Sequence, residues 1–224
     1  AKHQHTGIEL YREDIDRRTP ERLSLLGDLR EVLDRGGLDV HFQPKIDLNS
    51  STVVGAEALA RWQHPTRGWV SPEEFVRVAE ETGLIRRLTD HVLTLSMRAA
   101  RGWLDDGFDL TVCVNLSTLD LLDDGLPGRI ERRLEEHGLA PARLTLEITE
   151  SSLMADTPRT MATVTRLHDL GVSLSLDDFG TGYSSLSYLR RLPVTELKID
   201  RSFVANVVLA DQSHCALVVS LGDR

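Results

Sequence analysis

The sequence predicts an α/β fold, namely a TIM-like (β/α) barrel whose first strand is antiparallel to the second. Three observations lead to this expectation. Strand-like runs alternate with amphipathic helical segments along most of the chain. The first two strand-like runs are joined by a turn that is too short for a parallel crossover. In the later strands one face is apolar and the other is polar, as expected when the polar face lines a shared centre.

The composition limits the class of protein. The 224 residues are 41% hydrophobic and 27% charged, which is typical of one large globular domain. The net charge of -9 offers no electrostatic basis for binding long nucleic acid. Two cysteines, Cys113 and Cys215, and the lack of a long apolar run favour a cytoplasmic setting, although a membrane tether upstream of this chain stays open. Only three basic residues are lysines, Lys2, Lys45 and Lys198, so a lysine within a strand is unusual here.

The chain begins with a polar segment that we interpret as a linker over residues 1–19, followed by the domain proper over residues 20–224. Pro20 is favoured at a first helical position and predicts the start of a helix there. Leucines at helical spacing continue this helix, and Gly36 predicts its end.

Residues 40–46 and 53–62 follow as an antiparallel hairpin. Ser71 and Pro72 then predict the capped start of a helix that ends at Gly83. The remaining predicted strands span residues 110–116, 144–148, 172–177 and 194–199, and the remaining helices lie at 88–103, 126–137, 158–170 and 212–222. This gives six strands. Because a closed barrel needs about two more, we expect the domain to lack its last strands.

Acidic and amide side chains recur on the polar faces near the strand ends. They are Glu57, Asn115, Glu147, Asp177 and Asp178. Clustered carboxylates repel one another unless cations neutralise them, and oxygen ligands suit Mg²⁺, Mn²⁺ or Ca²⁺ rather than zinc. Taken singly, each acid is as well explained by a helix cap or a surface charge, and Asn115 by a hydrogen bond to backbone. Their recurrence at successive strand ends favours a metal site.

Lys198 is predicted to face the same centre, because its neighbours Leu197 and Ile199 belong to the apolar face. The alternative is an exposed lysine on the surface. A lysine late in a barrel could also form a Schiff base with a carbonyl substrate, but that chemistry gives the acidic cluster no role.

Seven blocks of sequence, taken in order, resemble the signature of EAL domains, the bacterial phosphodiesterases that linearise cyclic di-GMP. The blocks are Phe42-Gln43-Pro44, Glu57 to Trp62, His64-Pro65, Val114 to Ser117, Leu146 to Glu150, Asp177 to Leu186 and Leu197 to Phe203. The similarity extends over nearly all of the chain from Leu23 onward.

The resemblance implies hydrolysis of cyclic di-GMP to linear pGpG by a mechanism with two Mg²⁺ or Mn²⁺ ions. The residues that look like ligands of the first metal are Glu57, Asn115, Glu147 and Asp177. Asp177 would be shared with the second metal, which Asp178 would also bind. Lys198 is similar to the family's lysine beside the attacking water, and with Glu57 it would be catalytic. Gln43 and Arg61 match positions that contact the dinucleotide.

The resemblance also suggests partners. The stretch from Asp178 to Leu189 is similar to the loop through which the family couples metal binding to dimerisation, so we expect a homodimer. The first residues resemble the tail of a GGDEF cyclase domain, which suggests a tandem GGDEF-EAL parent. The glutamates that the family carries in its last strands are absent, which leaves the second metal site incomplete. The activity of this chain alone therefore stays open, and the alternative is a catalytically inactive receptor for cyclic di-GMP.

Overall fold

The computed structural model of the chain describes residues 13–154, 157–179, 192–199 and 217–220. The strands are β1 (Asp39–Asp47), β2 (Thr52–His64), β3 (Gly68–Val70), β4 (Thr111–Leu116), β5 (Leu144–Thr149), β6 (Ser173–Phe179), β7 (Glu196–Ile199) and β8 (Leu217–Ser220). The helices are α1 (Glu13–Arg35), α2 (Pro72–Thr82), α3 (Ile85–Asp105), α4 (Thr118–Leu121), α5 (Leu126–His137), α6 (Glu150–Met154) and α7 (Thr157–Asp169), with a 3₁₀ turn at Pro141–Arg143.

The strands form one curled sheet in the order β1-β2-β4-β5-β6-β7-β8, with β3 paired to β2 outside this path. Strand β1 is antiparallel to β2, and β2, β4, β5, β6 and β7 run parallel to one another. The predicted barrel-like sheet with a reversed first strand is therefore confirmed. Among the described strands, β1 and β8 lie at opposite ends of the order and do not pair, so the barrel is incomplete.

The helices cover the apolar face of the parallel strands. The buried strand residues on that face are Val112, Val114, Leu116, Leu144, Leu146, Ile148, Leu174 and Leu176. They belong to one core with side chains of α3, α5 and α7, including Met97, Ile130 and Leu167. Because strand side chains alternate, burying this face turns the polar residues between them toward the inside of the curl. None of the helices in the described ranges is long and apolar enough to cross a membrane.

Most predicted helix ends are confirmed. Helix α2 begins at Pro72 and ends before Gly83, whose φ of 74° is the left-handed conformation that glycine adopts readily. Ser71 is the N-cap residue, but its side chain makes no capping hydrogen bond, so the predicted cap is not formed by this side chain.

The start of the first helix was predicted wrongly. Helix α1 begins at Glu13 rather than at Pro20, so residues 13–19 of the expected linker are helical. Proline is favoured in a first helical turn, but a helix can continue through it at the loss of one backbone hydrogen bond. The domain boundary at residue 19 stays a prediction.

The expected helix over residues 212–222 is also wrong in its described part, and the count of six strands is too low. Residues Leu217–Ser220 form β8, which is antiparallel to β7 with Val218 opposite Lys198. Consecutive valines favour a strand, and periodicity alone does not distinguish a short apolar strand from a helix. Strand β3, a short hairpin partner of β2, was not predicted either.

Candidate metal and phosphate site

Three carboxylates converge on the ammonium group of Lys198 inside the curl. The Lys198 Nζ donates hydrogen bonds to Glu147 Oε2 at 2.9 Å, to Asp177 Oδ2 at 3.0 Å and to Glu57 Oε2 at 3.1 Å. These side chains come from four strands, β2, β5, β6 and β7. Lys198 is only 5% exposed, so it is a buried cation and not the surface lysine of the alternative interpretation.

The register of the parallel strands explains this convergence. Asn115 on β4 pairs with Glu147 on β5, and Thr149 on β5 pairs with Asp177 on β6. At the carboxyl ends of neighbouring parallel strands, polar residues therefore lie side by side on the inner face of the sheet. Lys198 on β7 faces the same inner side, because the residues before and after it on that strand belong to the outer face.

Asn115 joins the cluster through Glu57. Its Nδ2 donates a hydrogen bond to Glu57 Oε1 at 2.9 Å, so both oxygens of Glu57 are engaged. One oxygen of Glu147, Oε1, is buried and has no hydrogen-bond partner among the described residues. A buried carboxylate oxygen without a donor is costly, and a bound cation would satisfy it.

The cluster shifts the pKa values of its members in different directions. Burial raises the pKa of Glu147 to about 7, and Glu57 and Asp177 add to this against the opposing effect of Lys198. For Glu57, burial also acts to raise the pKa, but Lys198 and Asn115 outweigh it and the pKa is lowered. Burial acts to lower the pKa of Lys198, but the three carboxylates outweigh it and the pKa is raised well above its usual value. Lys198 is therefore a firmly protonated counter-ion in this arrangement.

Asp178 follows Asp177 at a point where β6 departs from regular strand geometry. Its φ of 55° is in the left-handed region, and its backbone N–H donates to Asp177 Oδ1 at 2.9 Å. The pairing of β6 with β7 shifts register between Leu176 and Phe179. The strand predicted over residues 172–177 thus continues to Phe179, through an irregularity that interrupts the regular alternation of side chains.

The two predicted substrate-binding residues lie on the strands at the start of the sheet. Gln43 on β1 is directly opposite Glu57 on β2 in the antiparallel pair. Arg61 lies four residues after Glu57 on the same strand, is partly buried, and donates from Nη1 to the carbonyl oxygen of Ala60 at 2.9 Å.

Sequence reasoning did not assign a second charged contact inside the curl. Lys45 Nζ on β1 forms an ion pair with Glu196 Oε2 on β7 at 2.8 Å, and it also donates to Cys113 Sγ at 3.4 Å. Burial raises the pKa of the Cys113 thiol to about 12, so this cysteine is protonated at neutral pH. The signal was present, because Lys45 is one of only three lysines and Glu196 precedes Lys198 by two residues on the same strand face.

The donor set fits a hard divalent cation. Carboxylate and amide oxygens are the ligands that Mg²⁺ and Mn²⁺ prefer, and three carboxylates facing one ammonium leave an excess of negative charge. In the described part of the chain, no three acidic, histidine or cysteine side chains are already arranged around one empty ion position. The carboxylates are turned toward Lys198 instead, so binding of a metal requires them to exchange this partner.

The fold and the site together define a barrel-type α/β protein with an acidic, oxygen-rich centre at the carboxyl ends of its parallel strands. The family model described as "EAL domain" matches residues 26–223. The chain therefore belongs to the EAL domain family, as the sequence blocks indicated.

Curated relatives agree with this assignment. The chain is 43% identical over 222 residues to the bifunctional diguanylate cyclase/cyclic di-GMP phosphodiesterase MucR of Pseudomonas aeruginosa, covering 98% of this chain and 32% of MucR. It is also 43% identical over 191 residues to the cyclic di-GMP phosphodiesterase NbdA of the same organism, covering 85% of this chain and 24% of NbdA. The chain thus spans a third or less of the length of these relatives.

Solved structures show the same fold. The PaMucR phosphodiesterase in complex with c-di-GMP is similar with a TM-score of 0.78 and 45% identity, over 82% of this chain and 75% of that one. The FimX EAL domain from Pseudomonas aeruginosa bound to c-di-GMP is similar with a TM-score of 0.74 and 26% identity, over 82% of this chain and 74% of that one.

Proposed function

We propose that this chain is the phosphodiesterase module that hydrolyses cyclic di-GMP to linear pGpG with two divalent metal ions. The observation that carries the proposal is the convergence of Glu57, Glu147 and Asp177 on one buried point, with Asn115 bonded to Glu57. The relatives named above as cyclic di-GMP phosphodiesterases support the same substrate.

Glu57, Asn115, Glu147 and Asp177 would hold the first metal, and Asp177 and Asp178 would contribute to the second. Bound Mg²⁺ or Mn²⁺ would screen the charge of the phosphodiester and lower the pKa of water. The buried Oε1 of Glu147, which lacks a hydrogen-bond partner among the described residues, supports a cation at this point.

The other residues of the site would bind and orient the reactants. Lys198 is held by carboxylates whose charge a metal would neutralise, so its ammonium becomes free to hold the attacking water in place. Arg61 offers a planar guanidinium that suits a phosphate oxygen, and its present bond to the Ala60 carbonyl leaves other donors available. Gln43 opposite Glu57 would contact the dinucleotide from the neighbouring strand.

Turnover of cyclic di-GMP by the purified chain with Mg²⁺ or Mn²⁺, followed by chromatography of pGpG, tests this function. We expect pGpG from the wild-type chain or from the longer protein that carries it. Glu57→Gln should abolish its formation, because the carboxylate is lost while size is kept. Glu136→Gln changes an exposed glutamate on α5 and should leave turnover unchanged. Lack of turnover by both the chain and the longer protein would contradict the proposal.

A receptor that binds cyclic di-GMP without cleaving it is the second candidate. The observation that favours it is the ion pairing of Lys198, which gives each of the three carboxylates a cationic partner without a metal. Calorimetry with cyclic di-GMP in the presence of a chelator separates the two functions. Binding in the chelator, with no pGpG formed after metal is restored, would favour the receptor.

Assembly and location are further proposals. We propose a homodimer formed through the segment after Asp178, most of which lies outside the described residues, and sedimentation would test it. An upstream GGDEF domain and a cytoplasmic location are proposed from the resemblance and from the cysteine content. Cys113, the cysteine that the structure describes, is free and buried, in agreement with a reducing compartment.

A further inference from the structure

The ion pair between Lys45 and Glu196 connects two strands that are not neighbours in the sheet. Strands β2, β4, β5 and β6 lie between β1 and β7 in the strand order, yet Lys45 Nζ and Glu196 Oε2 are 2.8 Å apart. The contact therefore crosses the inside of the curl. The two side chains are only 16% and 22% exposed, so this is a partly desolvated pair rather than a surface one.

This pair lies one layer below the acidic cluster. Glu196 and Lys198 are two residues apart on β7 and so face the same side of the strand. On the other side of the curl, Lys45 is opposite Gly55 in the register, two residues before Glu57 on β2. The lower layer thus joins β1 to β7 through Lys45 and Glu196, and the upper layer joins β2 to β7 through Glu57 and Lys198.

The position of Glu196 also bears on the contacts of Lys198. Side chains two residues apart on one strand face have Cα atoms about 7 Å apart, within reach of a long lysine side chain. If Glu196 lacked Lys45, its carboxylate would be a nearby unpaired anion that competes for the Lys198 ammonium. With Lys45 in place, Glu196 is already neutralised.

We infer that Lys45 is a positioning residue for Lys198: it neutralises Glu196, so that the Lys198 ammonium is directed to Glu57, Glu147 and Asp177 and not to Glu196. The inference rests on the proposed function and deepens it, since it assigns a role in that same site to Lys45, which contacts Glu196 and Cys113.

The chain offers a direct readout for this role, because it contains only three lysines. Selective isotope labelling of lysine gives three side-chain NMR signals, and the loss of one signal in Lys45→Met identifies Lys45. Lys198→Met identifies the signal of Lys198 in the same way. The position of the Lys198 signal in the metal-free chain then reports its surroundings without any measurement of activity.

We expect Lys45→Met to shift the Lys198 signal and to lower kcat on the order of 10- to 100-fold with little change in KM, as misplacement of a reacting group does. Lys45→Arg keeps the positive charge and should preserve the Lys198 signal. The double variant Lys45→Met, Glu196→Gln removes the competing anion together with its partner, and it should return the signal and most of kcat toward wild type. Arg30→Met, at an exposed position on α1, is the control for general effects of losing a cation.

An unchanged Lys198 signal in Lys45→Met would overturn the inference, as would a double variant no closer to wild type than the single one. If Lys45→Met does not fold, Glu196→Gln serves instead: it removes the anion that Lys45 neutralises, and we expect the Lys198 signal to stay near its wild-type position. A large shift in Glu196→Gln would contradict the inference. The proposed function fails separately, through lack of pGpG formation by the wild-type protein.

Discussion

At the scale of single residues, the carboxyl group of Asp120, in the first turn of α4, is fully buried. Its Oδ2 accepts hydrogen bonds from Thr89 Oγ1 at 2.8 Å, from Ser117 N at 2.9 Å and from Ser117 Oγ at 3.0 Å. Its Oδ1 is buried with no hydrogen-bond partner among the described residues. Burial is the largest influence and raises the pKa of Asp120 above its usual value of 3.8, against the effect of these donors.

Asp123, three residues further on, is shifted in the opposite direction. Its carboxylate accepts from Arg129 Nη1 at 2.8 Å and from the backbone N–H of Gly125 at 3.0 Å. Burial acts to raise the pKa, but these two donors outweigh it, so the pKa of Asp123 is lowered. The two aspartates therefore affect the pH dependence of the free energy of unfolding in opposite directions.

We predict that asparagine at these two positions changes the pH dependence of unfolding in opposite directions. The raised pKa of Asp120 contributes stability that is lost as pH rises from about 3.8 through its folded-state value. Asp120→Asn has no such group to titrate, so its free energy of unfolding should rise relative to that of wild type as pH increases across this window. The lowered pKa of Asp123 contributes stability that is present above about 3.8 and is lost below it. Asp123→Asn should therefore be less stable than wild type at neutral pH, by roughly 1 kcal/mol, and the deficit should shrink on acidification.

Urea unfolding followed by circular dichroism, over a series of pH values from acidic to neutral, measures both differences. If the free energies of unfolding of the two variants changed with pH in the same direction relative to wild type, the opposite pKa shifts of Asp120 and Asp123 would be contradicted.

Much of the residue-level arrangement of the site follows from strand periodicity. The convergence of Glu57, Glu147, Asp177 and Lys198 was predictable because parallel strands end at one edge and their side chains alternate. Their roles as ligands or catalysts remain predictions. The pair of Lys45 and Glu196 was not assigned from the sequence, because rarity singles out Lys45 but does not identify its partner, and β1 and β7 are not neighbours in the strand order.

At the scale of elements, the pairing of β2 with β4 depends on the absence of a side chain at Gly55. Gly55 is paired with Thr111 in the parallel register. A Cβ atom added to Gly55 would clash with the Thr111 hydroxyl oxygen and would lie 2.7 Å from the Thr111 carbonyl oxygen. The carbonyl belongs to the backbone and cannot move aside without displacing β4. Strand β2 carries Glu57 two residues later, so any displacement reaches the acidic cluster.

We predict that Gly55→Ala lowers the free energy of unfolding by about 1–3 kcal/mol, as overpacking of a tight site does. Gly27→Ala is the control, because Gly27 lies within α1 and an added Cβ meets nothing within 4 Å. That substitution should raise the free energy of unfolding by about 0.5–1 kcal/mol, since alanine is the better helix former. Chemical denaturation measures both changes, and equal stability of the two variants would contradict the tight approach of β2 to β4.

The errors in the element prediction have separate physical causes. Helix α1 starts earlier than Pro20 because proline marks a preference for the first turn but does not exclude a helix before it. Residues 217–220 form a strand because pairing with β7 adds to the β propensity of two valines, and such pairing is a tertiary contact that local periodicity does not contain. The strongly periodic helices α2, α3 and α5 were predictable because each buries one long apolar stripe.

At the scale of the whole molecule, Lys198 acts as the internal cation that holds the curled sheet together. It bridges β7 to β2, β5 and β6, and the lower ion pair adds β1. Removing this one ammonium group would leave three carboxylates facing one another inside the molecule.

We predict that Lys198→Met makes the stability of the chain strongly dependent on divalent metal. Without metal, the variant should lose about 3–5 kcal/mol, the usual cost of breaking a buried ion pair, reduced by proton uptake at Glu147, whose pKa is already about 7. A ligand that binds only the folded state stabilises it by about 2.7 kcal/mol at a concentration of 100 Kd. Mg²⁺ should therefore raise the melting temperature of Lys198→Met more than that of wild type, because the wild-type carboxylates must first release Lys198.

Thermal unfolding with Mg²⁺, and with NaCl at matched ionic strength, separates site binding from screening, since NaCl acts only through screening. Arg30→Met removes an exposed cation from α1 and should show the wild-type response to both salts. Equal increments in melting temperature for wild type and Lys198→Met would mean that Mg²⁺ does not enter the carboxylate cluster. In that case the three acids would serve only to anchor Lys198, and the curled sheet would be braced by this ion-pair network alone.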